Sequence, residues 1–121
     1  MPVTISVDPQ RRLAKRTYSG VVTGRDLLDS IREYETIPGF DPSFNELSDF
    51  SAAENVDAMI EDIHRCAITR APFTPESRRV IVAPQELIFG LARMYQIMGE
   101  EMHPNLSVVR TLEEADRIFK G

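Results

Sequence analysis

Cysteine, tryptophan and long hydrophobic runs are scarce or missing in this chain. Cys66 is the only cysteine among 121 residues, and there is no tryptophan. A single cysteine excludes an internal disulfide and suits a reducing compartment, so we expect a cytoplasmic protein. No apolar run approaches the roughly 20 residues that cross a bilayer. Residues 1–5 lack the basic start and apolar core of a signal peptide, and we expect no membrane span.

Positive charge is also in short supply. The chain has 14 Lys and Arg against 19 Asp and Glu, which gives a net charge of −5. Because nucleic acids and anionic membrane surfaces are bound by basic faces, we expect neither as a partner. The glycine patterns of phosphate-binding and dinucleotide-binding loops are missing as well. The sequence therefore predicts no cofactor.

Patterns for metal binding and nucleophilic catalysis are weak. His64 and Cys66 lie two residues apart in a predicted helix, so their side chains point to different sides. A zinc site needs about four ligands, and His103 is the only other histidine. We therefore expect no metal site, a histidine at the surface and a thiol that faces the core.

The most informative stretch is an unbroken apolar run at residues 80–83. It is short, rich in β-branched residues and has no polar alternation, which is typical of a strand covered on both faces. Pro84 ends the run, and residues 85–98 have helical spacing. A buried strand that leads into a helix is half of a βαβ unit. The sequence therefore predicts an α/β fold with a mostly parallel sheet, in one domain over residues 1–121.

The chain begins with a predicted hairpin. Val3, Ile5 and Val7 alternate with polar residues, which indicates a strand with one dry face. A turn and a second strand at residues 13–19 follow. We expect the two strands to pair in antiparallel fashion, with the first at the edge of the sheet.

The first predicted helix follows the hairpin. Thr23 precedes Asp26 by three residues, which is a capping pattern with an acid in the first turn. Pro38 and Gly39 are expected to end this helix.

A third strand is predicted at residues 45–50. Ser51 and Glu54 then match a capping box, so we expect a second helix from Ser51 to about Thr69.

The third helix, at residues 85–98, is expected to turn Leu87 inward. Gly90 within it predicts a close approach by another part of the chain. A fifth strand is predicted at residues 106–110, and Thr111 is expected to cap a closing helix. The predicted order is ββαβαβαβα, with five strands and four helices.

The only basic concentration brackets a connector that contains two prolines. Its members are Arg65, Arg70, Arg78 and Arg79. We interpret it as an ordinary solvated loop rather than a site for an acidic partner.

The element order and four short segments resemble a known family. The segments are residues 18–23, 47–49, 89–95 and 109–115. They are similar to the STAS, or SpoIIAA-like (anti-sigma-factor antagonist-like), domain, and closest to the uncharacterised bacterial SpoIIAA-like group. The resemblance covers nearly the whole chain. It implies a SpoIIAA-like sandwich and a regulatory module without enzymatic activity that acts through protein–protein recognition.

The resemblance also bears on regulation and on ligands. In sigma-factor antagonists a serine in an Asp-Ser context, at the start of the helix after the third strand, is phosphorylated by a partner kinase. The matching position here is Ala58, after Asp57, so that serine is missing. Related folds resemble lipid-binding modules of the CRAL-TRIO type, which implies an alternative function as a carrier or sensor of a small apolar ligand.

The expected protein-binding surface lies where the third strand ends and the second helix begins. Its residues are Asp49, Ser51, Glu54 and Asp57. Open α/β sheets usually place ligands at the carboxyl ends of their strands. Ser51 would suit a phosphate at a helix N-terminus or serve as a plain cap. No neighbouring residue completes a reaction centre around Asp49 and Asp57, so we expect no enzyme.

The alternative function has its own expected site. Met59, Ile63, Met94 and Met98 would line an adaptable apolar pocket between the second and third helices, or would form ordinary core. A homodimer through the hairpin edge or the third helix is a further expectation.

Overall fold

The structure is a computed structural model that describes residues 2–121. Its elements are β1 (Val3–Asp8), β2 (Leu13–Thr23), α1 (Gly24–Ser30), a 3₁₀ helix (Glu33–Thr36), β3 (Asn45–Asp57), α2 (Ile60–Ile68), β4 (Arg79–Val82), α3 (Glu86–Met98), β5 (Leu106–Val109) and α4 (Leu112–Lys120). The predicted α/β class and the predicted order of strands and α-helices are confirmed. Over residues 2–121, no helix is both long and apolar enough to cross a bilayer.

The five strands form one mixed sheet in the order β1-β2-β3-β4-β5. β1 is antiparallel to β2, and each later pair is parallel. Val3, Ile5 and Val7 oppose Tyr18, Arg16 and Ala14 in the hairpin register. Their shared face turns inward, because successive side chains of a strand point to opposite sides. The predictions of an edge hairpin strand and a mostly parallel sheet are confirmed.

Strand β4 is buried along its whole length. Val80 and Val82 pack with Ala115 of α4 on one face of the sheet. Ile81 packs with Ile88 of α3 on the other face. The prediction of a strand covered on both faces is therefore confirmed.

The third strand and the second helix differ from prediction. β3 continues to Asp57, where it still pairs with Thr23 at the end of β2, and α2 begins only at Ile60. The capping box predicted at Ser51 and Glu54 is wrong, since both residues lie in β3. Hydrogen bonds to a distant strand outweigh the local capping pattern here. The start of α2 is instead held by Asp62, whose carboxylate accepts the Met59 N–H at 2.9 Å.

The first helix is shorter than predicted. Its capping box is confirmed, since Thr23 Oγ1 accepts the Asp26 N–H at 3.1 Å and the Asp26 carboxylate accepts the Thr23 N–H at 2.9 Å. The helix ends at Ser30 rather than near Pro38. Ser30 Oγ donates to the Leu27 carbonyl at 2.9 Å, a local bond that competes with helix continuation.

Two expectations for the third helix are wrong. Leu87 is 68% exposed rather than inward, because it lies on the outer side of the first turn. A Cβ at Gly90 would meet nothing within 4 Å, so no segment approaches it closely. The close approach occurs at Gly99, where a Cβ would lie 2.7 Å from both the Ala67 carbonyl oxygen and His103 Cδ2.

Candidate functional site

Four polar side chains are buried together on the sheet face that α1, α2 and α3 cover. We call Arg16, Glu46, Arg79 and His103 the buried ion cluster. They belong to β2, β3, β4 and the loop before β5. The parallel register sets Glu46 directly beside Arg79 and pairs Arg16 with Ser48 on the same face. Strand pairing therefore assembles a cluster whose members are far apart in the sequence.

Glu46 is the centre of the buried ion cluster. Arg79 Nε donates to Glu46 Oε1 at 2.9 Å, and Arg16 Nε lies 3.2 Å from Glu46 Oε2. Burial alone would raise the pKa of Glu46, but the charges of Arg16 and Arg79 outweigh it and hold that pKa below its usual value. The carboxylate is therefore charged at neutral pH.

His103 closes the far side of the buried ion cluster. Its Nδ1 accepts from Arg79 Nη1 at 2.6 Å, and its Nε2–H donates to the Ala67 carbonyl at 3.0 Å. These partners select the neutral ring with its proton on Nε2. Burial, and then the charge of Arg79, lower the pKa of His103 to about 4. Gly99 leaves the space that the ring occupies.

Aromatic rings surround the two buried arginines. The Arg16 guanidinium carbon lies 5.7 Å from the ring centre of Tyr18 and 5.8 Å from that of Tyr34. The Arg79 guanidinium lies 5.3 Å from the ring centre of Phe73. These distances are within the range of cation–π attraction. The rings lower the cost of burying the two positive charges.

A cavity of about 70 Å³ opens beside Arg16, between the sheet and helices α1, α2 and α3. Arg16 and Ser48 contribute polar atoms to its wall. Apolar side chains form most of the remainder: Leu27, Ile31, Ile63, Ile81, Ile88 and Leu91. Cys66 also lines the cavity, and burial raises the pKa of its thiol to about 11.

The structure places the four residues of the predicted apolar pocket in different surroundings. Of its four members, only Ile63 lines the cavity. Met59 is 68% exposed and Met98 is 36% exposed. Met94 is half-buried but lies outside the cavity wall. The delayed start of α2 explains Met59, which stands before the helix and projects into solvent.

The predicted protein-binding residues do not form one cluster. Asp49 is buried in β3, and its carboxylate accepts the Ser51 N–H at 2.9 Å. Ser51, Glu54 and Asp57 are exposed further along the same strand. Asp49 and Asp57 are eight residues apart in an extended strand, a separation of roughly 25 Å. They therefore do not make the carboxylate pair considered from the sequence.

The remaining candidate residues from the sequence differ in how deeply they are buried. His64 is exposed and Cys66 is buried, as predicted. Arg65 and Arg70 are exposed, but Arg79 is buried against Glu46, so its assignment to a solvated loop is wrong. The part of the chain that the structure describes contains no group of three or more His, Cys, Asp or Glu side chains placed to hold a metal ion.

Sequence reasoning missed the buried ion cluster itself. Arg16 alternates with Ala14 and Tyr18 on the face of the second strand that turns inward. A charged residue at such a position predicts a buried partner of opposite charge. Glu46 fits that role, next to the apolar Leu47 at the start of the third strand, but nothing local in the sequence pairs the two.

Comparisons of the chain with protein-family models, with curated proteins and with solved structures find no match. The features of this chain that bear on its function are the cavity and the buried ion cluster, whose Arg16 forms part of the cavity wall. Both are properties of this chain's own packing.

Proposed function

We propose that this chain is a binding module that holds a small, largely apolar ligand in the cavity beneath α1, α2 and α3. One observation carries the proposal: a cavity of about 70 Å³, lined mostly by apolar side chains, lies between the sheet and helices α1, α2 and α3. Protein interiors contain few voids larger than a water molecule. An apolar void of this size favours an apolar occupant over water.

The chemistry of the cavity wall and of the neighbouring buried ion cluster supports binding rather than catalysis. Both ring nitrogens of His103 are engaged by protein atoms, so the ring is not offered to a substrate. The Cys66 thiol is protonated at neutral pH, because burial raises its pKa to about 11, and a thiol is a poor nucleophile. The arginines donate hydrogen bonds and accept no protons. A non-enzymatic role is therefore part of the proposal.

The finer fold assignment is also a proposal. An N-terminal antiparallel edge strand, a parallel sheet and helices in the intervals between the parallel strands support the STAS-like, or SpoIIAA-like, architecture. The segments that resemble that family lie in β2, β3 and α3, and across the start of α4. A cytoplasmic location belongs to the same proposal.

The experiment is a titration of isoleucine methyl groups by NMR, with 1-propanol as the probe. We expect saturable shifts at Ile63, Ile81 and Ile88, which line the cavity. Ile60 and Ile97 are exposed and serve as internal controls that should not move. Equal shifts at all five residues, or none at the cavity residues, would contradict the proposal.

Two variants make the titration specific to the cavity. Ala92 lies in the cavity wall, so Ala92→Leu should fill the space and abolish the shifts. Ala52 is exposed on β3, so Ala52→Leu adds the same atoms elsewhere and should leave the titration unchanged. If Ala92→Leu bound 1-propanol as the parent protein does, the cavity would not be the site.

Protein recognition is the second candidate function. The end of β3 carries the exposed carboxylates Glu54 and Asp57 beside the exposed Ser51, and this charge suits a basic segment of a partner protein. The test is to capture proteins from a native lysate with the parent protein and with the double variant Glu54→Lys, Asp57→Lys, and to compare the proteins that each retains. A partner retained equally by both would exclude this surface.

A further inference from the structure

The buried ion cluster carries more positive than negative charge. Arg16 and Arg79 share a single carboxylate, that of Glu46, and His103 is neutral. Within residues 2–121 the other buried carboxylate is Asp49, which points to the opposite face because it is an odd number of residues from Glu46 in the same strand. One positive charge is therefore left uncompensated away from water. Such a charge is costly unless an anion joins it.

Arg16 is the member with unused hydrogen-bonding capacity. Its Nη1 donates to Ser30 Oγ at 3.0 Å and its Nη2 donates to Ser48 Oγ at 3.1 Å, and both acceptors are uncharged. Its Nε–H has no hydrogen-bond acceptor among residues 2–121, although Glu46 is near. Arg79, in contrast, donates directly to Glu46. The incompletely paired guanidinium is thus the one in the cavity wall.

The cavity itself limits the shape of an anion that can reach Arg16. Ile81, Ile88 and Leu91 face the space from the sheet and from α3. An engineered cavity of about 150 Å³ holds the six heavy atoms of benzene, so about 70 Å³ suits roughly three to four heavy atoms. Phosphate or sulfate would place charged oxygens against these apolar groups. A planar carboxylate with a short alkyl chain satisfies both ends of the space.

We propose that the occupant of this cavity is a short monocarboxylate of the size of acetate. Its carboxylate accepts from Arg16, and its methyl group lies against Ile81 and Ile88. The inference rests on the proposed function and adds the chemical class of the ligand. The two hydroxyl groups that accept from Arg16, those of Ser30 and Ser48, are uncharged. A carboxylate would therefore form a stronger hydrogen bond with the guanidinium than they do.

The test compares acetate with acetamide, its uncharged isostere, in the isoleucine methyl titration. A charged hydrogen bond in a buried site predicts a Kd for acetate at least about tenfold lower than that for acetamide. The ¹⁵N–¹H signal of Arg16 Nε should move with acetate. The corresponding signal of Arg93, which is exposed on α3, should not move.

The matched variants are Arg16→Met and Arg93→Met. We expect Arg16→Met to lose the preference for acetate over acetamide, whereas Arg93→Met should keep it. If Arg16→Met does not fold, the Arg16 Nε signal of the parent protein decides the question without any variant.

Three outcomes would overturn the inference, and they differ in what else they affect. Equal affinity for acetate and acetamide would exclude a carboxylate ligand but leave the proposed apolar ligand in place. Chloride that moves the Arg16 Nε signal as acetate does would show a site for any small anion. Failure of acetate, acetamide and 1-propanol alike to move the signals of Ile63, Ile81 and Ile88 would overturn the proposed function as well.

Discussion

Glu46 has the most consequential side chain of the buried ion cluster, because it separates two guanidinium groups of like charge. Its carboxylate uses one oxygen for Arg79 and lies with the other near Arg16. The pair formed with either arginine is not by itself a large source of stability, since burying the charges costs about as much as their attraction returns. Removing the shared partner is different, because two charges are then left buried and repel each other.

The first prediction concerns Glu46→Gln, which keeps the shape of the side chain and removes its charge. We expect the free energy of unfolding to fall by about 3 kcal/mol or more, as for other buried pairs that lose one partner. Urea denaturation at pH 7 measures the change. A matched control is Glu35→Gln, which breaks the 2.7 Å pair with Arg32 at the surface.

The surface control should cost less than about 1 kcal/mol, since both side chains of that pair are about half exposed. A loss in Glu46→Gln no larger than that of the control would show that the buried charges are compensated in some other way. In that case Arg16 would not need an anion.

At the scale of elements, α3 offers two glycines in opposite surroundings. Gly90 is an exposed interior position of the helix with nothing within 4 Å of an added Cβ. Gly99 ends the helix, and an added Cβ would collide with the Ala67 carbonyl oxygen and with His103. The same substitution therefore has opposite effects at the two positions.

The second prediction is that Gly90→Ala stabilises the protein by about 0.5–1 kcal/mol, because alanine loses less backbone entropy in a helix. Gly99→Ala should destabilise it by about 1–3 kcal/mol, because His103 must move. Thermal and urea denaturation of the two variants give the comparison. Stabilisation by Gly99→Ala would show that the contact with His103 is loose.

The third prediction distinguishes a true helix cap from a false one. Thr23→Ala removes the hydroxyl that accepts the Asp26 N–H and should cost about 1 kcal/mol. Ser51→Ala changes an exposed strand residue and should alter the unfolding free energy by less than about 0.5 kcal/mol. Equal losses would favour a helix that begins near Ser51, as the sequence suggests.

The two caps also show how far the sequence alone reaches. Alternation in β1 and the apolar run of β4 are local patterns, so both strands are predictable. The end of β3 is not, because it depends on pairing with β2, which lies some thirty residues away. The buried ion cluster cannot be predicted from the sequence for the same reason. Glu46 meets Arg79 through the parallel register of β3 and β4, and no local pattern specifies that register.

At the scale of the whole molecule, hydrogen bonds of the buried ion cluster connect the sheet to its helices. Arg16 donates to Ser30, which ends α1, and His103 donates to Ala67 in α2. Protonation of His103 would place a third positive charge beside Arg79 and remove the acceptor at Nδ1. The free energy of unfolding of the whole domain should therefore depend on whether the His103 ring is protonated.

The fourth prediction is the direction of that dependence. The unfolded ring has the ordinary pKa of 6.5, and burial followed by the charge of Arg79 lowers the folded value to about 4. At pH values between 4 and 6.5 the unfolded chain binds more protons than the folded chain. The free energy of unfolding therefore has its full value above pH 6.5 and falls as the pH drops toward 4. The loss attributable to His103 reaches roughly 3 kcal/mol. Urea denaturation from pH 7.5 to 4.5 measures the slope.

His103→Gln should flatten this slope, whereas His64→Gln should keep it, because His64 is exposed. Glu46 does not account for this slope, since its pKa is held below the ordinary carboxyl value. Its contribution to the free energy of unfolding is lost only at more acidic pH. A parent protein with pH-independent stability between 6.5 and 4.5 would mean that the ring is protonated in the fold. The cluster would then hold one more positive charge beside Arg79, and the charge left for an anion to compensate would be larger.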